Sequence, residues 1–275
     1  MNIADRMFRK LLVEVLENGT WENGEVRPYW GDTGEKAYTK YITQYVETFD
    51  ISKGEFPITT IKPTAWKTGI KEIFWIYHEA SNDLSVAKEK YGIKWWDDWN
   101  VGDDTIGYRY GHTVKRYNLM ENFLNGIKNN PLGRRHILSL WQNSEFEEET
   151  KGLNPCAFMS MASVRGEYLD WTLIQRSQDI IGANNINNIQ YVALMMMVAK
   201  HCGLKPGKFT HFIQNCHIYD RHISIAEEFL KRDISDKQPK LIFEPKSDNF
   251  YDFTIDDFRV ENYEPQEKVK IDIAI

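Results

Sequence analysis

Apolar side chains recur at intervals of three and four residues in several parts of the chain, which is the spacing of one helix face. This pattern predicts helices over residues 3–16, 65–79, 119–128, 188–202 and 220–231. We expect Gly19 to end the first helix and Thr64 to cap the second. The fourth helix is apolar on every side, so Met195 to Met197 are expected in a buried core rather than at a cofactor.

Alternation of apolar and polar positions predicts strands between these helices. The expected strands are HILSLW (136–141), AFMSMASV (157–164), YLDWTLIQR (168–176), KLIFE (240–244), YDFTIDDFRV (251–260) and VKIDIAI (269–275). Arg165-Gly166-Glu167 reads as a hairpin turn between the second and third of them. Helices and strands do not alternate as regular βαβ units, so the pattern predicts an α+β fold. No linker, repeat or low-complexity segment is visible, which favours one domain over residues 1–275.

Composition narrows the class of protein. The 275 residues carry 40 acidic and 34 basic side chains, for a net charge of −6, which argues against a general nucleic-acid binder. Apolar runs are too short for a bilayer, and the first residues, MNIADRMFRKLL, are charged where a signal peptide is apolar. Three cysteines cannot form a disulfide framework and suit a reducing compartment. We therefore expect a cytoplasmic protein that does not bind membranes.

Motifs for common cofactors are absent from the sequence. There is no GxxxxGK[ST], GxGxxG or GxSxG segment. Six histidines and cysteines crowd into 22 residues, but none of the usual zinc spacings occurs, so no metal site is expected. These six residues are His201, Cys202, His211, Cys216, His217 and His222.

Cys156 is the first candidate for chemistry, because it follows Pro155 at the entry to a predicted strand. As a thiolate beside positive charge it would be a nucleophile; as an isolated thiol it would be a core residue. Four arginines could supply that charge and clamp a phosphate or carboxylate together, although each alone reads as a surface residue. These are Arg27, Arg134, Arg135 and Arg176.

A second candidate is the HIY segment, residues 217–219. In an extended chain His217 and Tyr219 point to the same side, where their polar tips could bind a sugar hydroxyl. The alternative is a core histidine next to a boundary tyrosine.

In this order the motifs resemble folate-dependent thymidylate synthase. The most specific combination is RR (134–135), PC (155–156), QRSQD (175–179), an Asn-rich stretch up to Tyr191, and HIY (217–219). Further counterparts are FPITT (56–60), KEIFW (71–75), WWDDW (95–99), YGH (110–112), PKLIFE (239–244) and IAI (273–275). The resemblance covers nearly the whole chain and implies an α+β domain, whose large mixed β-sheet is packed by helices and forms a dimer interface.

The resemblance also implies a reaction. Cys156 would add to C6 of dUMP, and C5 would then attack the methylene group of 5,10-methylenetetrahydrofolate. Loss of the C5 proton, elimination and hydride transfer from the same folate would give dTMP and dihydrofolate. The folate is thus the co-substrate, and neither a nicotinamide nor a metal is required.

Roles for individual residues follow from the same resemblance. Glu72 would organise proton transfer at O4 and C5, Tyr110 would assist proton abstraction, and Asn187 would read the pyrimidine edge. Arg176 would favour the thiolate of Cys156. The nucleotide phosphate would be held by Arg27, Arg134, Arg135, Arg176 and Ser177. Gln175 would also bind the nucleotide, and His217 and Tyr219 would bind the ribose 3′-hydroxyl. Arg134 and Arg135 would reach the site from the partner subunit, which makes a homodimer obligatory.

On the folate side, Asp179 would bind the pterin ring and Gly182 would replace a glycine that the family usually has one place later. Trp96 and Trp99 would form an aromatic wall. Lys62 would meet the glutamate tail, and the carboxylate of Ile275 would help to close the site.

The chain departs from the family pattern at three places. Ala157 stands where many members have His, Ala65 replaces another frequent His, and the loop 181–187 differs from the usual sequence, so that a slip of one residue would exchange Asn187 for Asn188. The nearest alternative is therefore a hydroxymethylase for dUMP or dCMP with the same fold. An inactive nucleotide-binding or RNA-binding homologue is a further alternative, which Cys156, Glu72, Arg176 and Tyr110 together disfavour.

Overall fold

The computed structural model describes residues 1–148 and 151–275 and is built around a twisted seven-stranded sheet. The helices are α1 (Ile3–Asn18), α2 (Trp66–Ile73), α3 (Leu84–Glu89), α4 (Gly111–Arg116), α5 (Leu119–Asn129), α6 (Asn143–Glu148), α7 (Asn184–His201) and α8 (Ile223–Lys231). The strands are β1 (Thr20–Trp21), β2 (Thr39–Asp50), β3 (Ile137–Ser139), β4 (Ala157–Arg165), β5 (Tyr168–Gln175), β6 (Gln178–Asp179), β7 (Lys205–Tyr219), β8 (Lys240–Phe243) and β9 (Phe258–Glu261). The α+β prediction is confirmed.

The sheet is mixed. Its strands follow the order β1-β2-β7-β5-β4-β3, and the short β6 pairs with the end of β7. β7 runs parallel to β5 and β6, whereas the other pairs are antiparallel. β8 and β9 form a separate two-stranded sheet. The carboxyl ends of β5 and β7 therefore lie near the same edge, and β4 begins beside the end of β5.

Helix α7 fills the centre of the core. Between Ile189 and Ala199 its side chains are buried, apart from the half-buried Met196, because the helix packs on β5 and β7 and is covered by α2. Met195 and Met197 are fully buried, as expected for core residues. The predicted helices at 3–16, 119–128 and 220–231 and the hairpin at residues 165–168 are present, with shifts of a few residues at their ends.

Some local predictions are wrong. Thr64 does not cap α2: the residue before the helix is Ala65, and the hydroxyl of Thr64 instead accepts from the backbone N–H of Thr59 at 3.2 Å. The α-helical part also stops at Ile73, and the chain continues as a π-helical turn over Phe74–His78. The central helix begins at Asn184 rather than at 188, because three asparagines that read as loop form its first turns.

The C-terminal prediction is also wrong in part. Residues 251–260 contain two 3-10 turns before β9, and 269–275 form only an isolated bridge between Ala274 and Trp30. The two longest strands, β2 and β7, were absent from the sequence prediction. β7 contains Pro206 and Gly207, and its buried face carries His211, so its apolar alternation is interrupted where the fold supplies polar partners.

No helix within the described residues combines the length and apolar character that a membrane span requires.

Candidate active site

The site is built around Cys156, the residue before β4. Its backbone N–H donates to the hydroxyl of Tyr110 at 3.2 Å, and its carbonyl accepts from the N–H of Arg176 at 2.9 Å. The side chain is only partly buried, at the edge where β4 and β5 pair. The thiol is therefore held on a fixed backbone at this edge of the sheet.

Arg176 is the basic residue nearest to the thiol. Its Nη2 atom lies 3.6 Å from Cys156 Sγ and donates to the carbonyl of Asn154 at 2.7 Å, while its Nε donates to the carbonyl of Pro155 at 3.0 Å. These two carbonyls belong to the segment that leads into Cys156. The guanidinium thus holds this segment and places its positive charge next to the sulfur.

Burial and charge oppose each other at the thiol. Burial raises the pKa of Cys156, and the positive charges of Arg176 and then Arg27 lower that pKa. Arg27 itself is exposed in the loop after β1, and its charge also lowers the pKa of Tyr219 against the larger effect of burial. The structure therefore brings Arg27, Arg176, Cys156 and Tyr219 into one electrostatic environment.

Glu72 is a buried carboxylate on α2. Its Oε1 accepts from the indole N–H of Trp96 at 2.7 Å, and its Oε2 accepts from the amide of Gln190 at 2.8 Å. Burial raises the pKa of Glu72 to about 7, against the opposing effect of these donors. Among the described residues no Lys, Arg or His forms an ion pair with it. A carboxyl that titrates near neutral pH can both accept and donate a proton.

A close approach of two helices creates the contact between Glu72 and Gln190. A Cβ placed on Gly69 of α2 would lie 3.0 Å from Cγ2 of Ile186 and 3.3 Å from Cγ of Gln190, both on α7. Glycine thus allows α2 to lie directly against α7. Glu72, one turn further along α2, then reaches the amide of Gln190.

Tyr110 connects the thiol and the carboxylate regions. Its ring packs edge-on against Trp96 with 5.1 Å between centroids, and its hydroxyl accepts from Cys156. Its φ of 52° and ψ of −110° lie in a region that a bulky residue adopts only at a cost. The surrounding contacts hold this strained backbone, which is typical of residues that the site requires.

Asn187 lies one turn before Gln190 on α7. Its Nδ2 donates to Oε1 of Gln190 at 2.9 Å, and its Oδ1 accepts from Nε2 of Gln175 at 3.3 Å. The neighbouring Asn188 is buried on another side, where it donates to Glu47 at 2.7 Å. The sequence left open whether Asn187 or Asn188 belongs to the site. Asn187 is the residue that contacts both Gln175 and Gln190, and Gln190 in turn contacts Glu72.

His217 and Tyr219 point to the same side of β7. Their rings meet edge-on with 5.2 Å between centroids, as the extended-chain hypothesis required. Nδ1 of His217 contacts Oδ1 of Asn215 at 2.8 Å, and burial lowers the pKa of His217. Trp30 packs against Tyr219 at 5.7 Å.

The C-terminus is fastened close to Arg27. Ile275 and Tyr29 exchange backbone hydrogen bonds of 2.9 and 3.0 Å, two residues after Arg27. The terminal carboxylate therefore lies at the same loop as one of the predicted phosphate ligands.

Asp179 is the last residue of β6 and closes a tight turn. Its Oδ1 accepts from the N–H groups of Ile181 and Gly182, each at 3.0 Å, and a Cβ on Gly182 would lie only 2.4 Å from Oδ2. Only glycine leaves room for this carboxylate. Glycine at position 182 of the altered loop thus has a steric reason, and its replacement of the family's usual glycine stays a prediction.

Lys62 is buried near the same turn. Its Nζ lies 3.4 Å from Oδ1 of Asn185, and burial lowers the pKa of Lys62 to about 8, although Asp179 raises it in part. Trp96 and Trp99 pack edge-on at 5.6 Å. The indole N–H of Trp99 is a buried donor with no hydrogen-bond partner among the described residues, so a ligand at this aromatic wall could accept from it.

Arg134 and Arg135 are not part of this cluster. Both are exposed in the loop between α5 and β3, and the described charges that act on Cys156 are those of Arg176 and Arg27. Ser177 lies beside Arg176 and uses its carbonyl to accept from Gln175 at 2.8 Å.

Several residues of this network were not found from the sequence. Gln190 contacts both Glu72 and Asn187, and His211 contacts Gln175 at 3.1 Å and Asn188 at 2.7 Å. The hydroxyl of Tyr191 donates to the carbonyl of Ala157 at 3.3 Å. The sequence signal for Gln190 is a polar residue three positions after Asn187, at the point where the asparagine-rich first turns of α7 give way to its apolar part.

Within residues 1–148 and 151–275, no group of three or more His, Cys, Asp or Glu side chains is placed to hold a metal ion.

Comparison with known proteins places this site in context. The family model for thymidylate synthase matches residues 6–275. Thymidylate synthase of Lactococcus lactis subsp. lactis (strain IL1403) is 47% identical over 282 residues and covers 100% of both chains. Thymidylate synthase of Streptococcus sanguinis (strain SK36) is also 47% identical, with 100% coverage of both chains.

A solved structure agrees with these relatives. The chain superimposes on the thermostable thymidylate synthase A from Bacillus subtilis with a TM-score of 0.92 and 33% sequence identity. The match covers 98% of this chain and 99% of that one. The similarity therefore extends over the sheet, the helices and the site.

Proposed function

The chain belongs to the thymidylate synthase family, and from this premise we propose how its own residues act on the substrates. Its reaction is the reductive methylation of dUMP to dTMP, with 5,10-methylenetetrahydrofolate as the donor of the carbon and of the hydride. The observation that carries the assignment of roles is the 3.6 Å contact between Arg176 Nη2 and Cys156 Sγ. We propose residues 1–275 as one functional domain.

Cys156 is the nucleophile. Its thiolate forms a bond to C6 of the uracil ring, and the electron pair of the C5–C6 double bond moves towards C5 and O4. The bond from the methylene carbon to N10 of the folate breaks, its electron pair goes to N10, and the nucleophilic C5 bonds to that carbon, which stays attached to N5. After the C5 proton is lost, the remaining bond from the methylene to N5 breaks, and hydride from C6 of the tetrahydropterin adds to the exocyclic methylene, which leaves the folate as dihydrofolate. The bond between Cys156 and C6 breaks in the same phase, so that dTMP and dihydrofolate leave.

Glu72 and Tyr110 serve proton transfer. The pKa of Glu72 near 7 fits a group that exchanges a proton with O4 as negative charge develops there. Tyr110 has its hydroxyl against the backbone of Cys156, which supports a part in removal of the C5 proton.

Arg176 has two roles in this proposal. It stabilises the thiolate through its contact with Sγ, and with Ser177 and Arg27 it binds the nucleotide phosphate. His217 and Tyr219 bind the ribose 3′-hydroxyl. Asn187 binds the pyrimidine edge, and Gln175 supports it through a hydrogen bond to its Oδ1.

Family members form homodimers, and the proposal for this chain is that Arg134 and Arg135 complete the partner's phosphate site. Both arginines are exposed and stand just before β3, at the edge of the sheet. Val46 of β2 is 52% exposed and Ile137 of β3 is 47% exposed, which supports a contact between sheets of two copies.

The folate pocket is proposed between α2, the Trp96 region and the turn at Asp179. The indole N–H of Trp99, which has no partner within residues 1–148 and 151–275, and the carboxylate of Asp179 fit a pterin ring, which offers acceptors and donors on one edge. Lys62 binds the glutamate tail of the folate, and the carboxylate of Ile275 helps to close the site. The folate supplies the one-carbon unit and the hydride. A cytoplasmic location is proposed with this activity.

Product analysis tests the proposal. Purified protein, dUMP and 5,10-methylenetetrahydrofolate should give dTMP and dihydrofolate in equal amounts, measured by chromatography and by the absorbance of dihydrofolate. Hydroxymethyl-dUMP with tetrahydrofolate would instead identify a hydroxymethylase, the alternative that Ala157 left open. No conversion by a folded dimer would contradict both.

A further inference from the structure

Gln190 joins the two residues that we propose to act on different parts of the pyrimidine. Its Nε2 donates to Glu72 at 2.8 Å and its Oε1 accepts from Asn187 at 2.9 Å. The side chain is buried, so both polar atoms must find partners inside the protein. It is therefore a direct bridge between the carboxylate proposed for proton transfer and the amide proposed for base recognition.

The orientation of the Gln190 amide is set by Glu72. The carboxylate form of Glu72, which prevails above its pKa of about 7, only accepts hydrogen bonds, so in that form the NH2 group of Gln190 has to face it. The oxygen of Gln190 is then left to face Asn187, and only the NH2 group of Asn187 can satisfy it.

The other end of Asn187 is fixed in the same manner. Nε2 of Gln175 donates to the backbone carbonyl of Ser177 at 2.8 Å, and a carbonyl only accepts. The same NH2 group donates to Oδ1 of Asn187 at 3.3 Å. If the amide of Asn187 turned over, its NH2 would meet the NH2 of Gln175 and its oxygen would meet the oxygen of Gln190.

Resting on the proposed function, we infer that Gln190 is a positioning residue that holds the Asn187 amide in the one orientation that reads uracil and rejects cytosine. Asn187 keeps one N–H and one oxygen lone pair for a ligand. In the observed orientation these match the O4 acceptor and the N3–H donor of uracil. Cytosine offers an N4 donor and an N3 acceptor, which is the pattern that a turned amide would match.

Asparagine alone therefore does not separate the two bases, because a freely turning amide satisfies both. The discrimination requires that turning costs a hydrogen bond at each end. Gln190 supplies one of these two costs through its hydrogen bond with Asn187.

Equilibrium binding of dUMP and of dCMP tests this inference without turnover. In Gln190→Met the bridge is lost at nearly constant volume. We expect the ratio of the two dissociation constants to move about tenfold towards dCMP, since one neutral hydrogen bond no longer opposes turning. Gln190→Leu is measured alongside, with thermal melting of both variants, so that a folding defect in one leaves the other to decide.

Gln190→Glu separates positioning from packing. Its side chain still accepts from Asn187 but does not offer the amide N–H to Glu72, so the wild-type ratio should be kept. Gln178→Met is the matched control, because Gln178 is also a buried glutamine and its amide has no hydrogen-bond partner among the described residues. Its ratio should also stay at the wild-type value.

Three results would overturn the inference. These are a wild-type ratio in Gln190→Met and Gln190→Leu, an equal loss in Gln190→Glu, or an equal loss in Gln178→Met. Formation of dTMP by the wild-type protein is measured in parallel. If dTMP forms while the ratio stays unchanged in the variants, the inference on Gln190 fails and the proposed function stands. If wild type binds neither nucleotide, the proposed function itself fails.

Discussion

Nη2 of Arg176 lies 3.6 Å from Sγ of Cys156, while the same guanidinium donates to the two carbonyls before that cysteine. One side chain thus fixes both the position of the thiol and the charge beside it. Because burial alone raises the pKa of Cys156, the reactivity of the thiol depends on this contact.

Replacement of the nucleophile should stop the reaction at its first step. In Cys156→Ser we expect no dTMP formation, because a serine hydroxyl has no anionic form at neutral pH that could replace the thiolate. Binding of dUMP should persist, as measured by calorimetry. Cys202→Ser, at the end of α7, is the control with full activity. Activity near the wild-type level in Cys156→Ser would rule out the covalent mechanism.

Removal of the guanidinium should weaken the thiolate. The positive charge of Arg176 lowers the pKa of Cys156, so Arg176→Met should raise this pKa and slow alkylation of the thiol at pH 8. Arg176→Lys keeps a positive charge but loses the forked donor, so its alkylation rate should lie between those of the wild type and of Arg176→Met. The pH profile of iodoacetamide labelling, followed by mass spectrometry at Cys156, measures the effect. An unchanged profile in Arg176→Met would show that the contact does not act on the thiol.

Glu72 should make stability depend on pH. Its pKa is raised from the usual 4.5 to about 7 in the folded protein, so the native state holds a proton that the unfolded chain has lost. The stabilisation of the native state by this proton is complete below pH 4.5 and disappears as the pH rises through 7. Relative to wild type, the free energy of unfolding of Glu72→Gln should therefore rise by on the order of 3 kcal/mol between pH 4.5 and pH 7.

Urea unfolding at pH 5 and pH 8 measures this difference. The exposed Glu89→Gln on α3 serves as the surface control. Although more stable at pH 8, Glu72→Gln should lose about 100-fold or more in kcat/KM, the usual size of a general acid-base contribution. A pH-independent stability difference would mean that Glu72 is not held in a buried, uncharged environment.

Sharing of arginines between subunits can be tested with mixed dimers. Cys156→Ser and Arg135→Ala should each be inactive alone. After the two are unfolded together and refolded, one site of each mixed dimer has an intact cysteine and an intact partner arginine, so activity should return. When Cys156→Ser is mixed with Arg176→Met instead, activity should return only if Arg176 acts in the site of the partner subunit. Recovery with Arg176→Met but not with Arg135→Ala would reverse the proposed division of residues.

Much of the fold follows from local pattern. The helix α1 and the β4–β5 hairpin were predicted because their apolar spacing and their turn residues agree with the packing. β7 was missed because His211 and its polar neighbours are satisfied by Gln175 and Asn188, which lie far away in sequence. A single sequence shows the polar residue but not the partner that makes its burial favourable.

The candidate site shows the same division. Cys156, Arg176, Glu72 and Asn187 could be named from motifs, whereas Gln190 could not. Its contact with Glu72 depends on the close approach of α2 and α7 at Gly69, which only the tertiary structure reveals.

The central claim is that one folate donates both the carbon and the hydride to a uracil that is bound covalently to Cys156. The most direct measurement uses 5,10-methylenetetrahydrofolate with deuterium at C6 of the pterin, unlabelled dUMP and ordinary water, followed by mass spectrometry of the nucleotide. The account predicts dTMP with one deuterium in its methyl group. A methyl group without deuterium, or a hydroxymethyl product with the label retained in tetrahydrofolate, would contradict it.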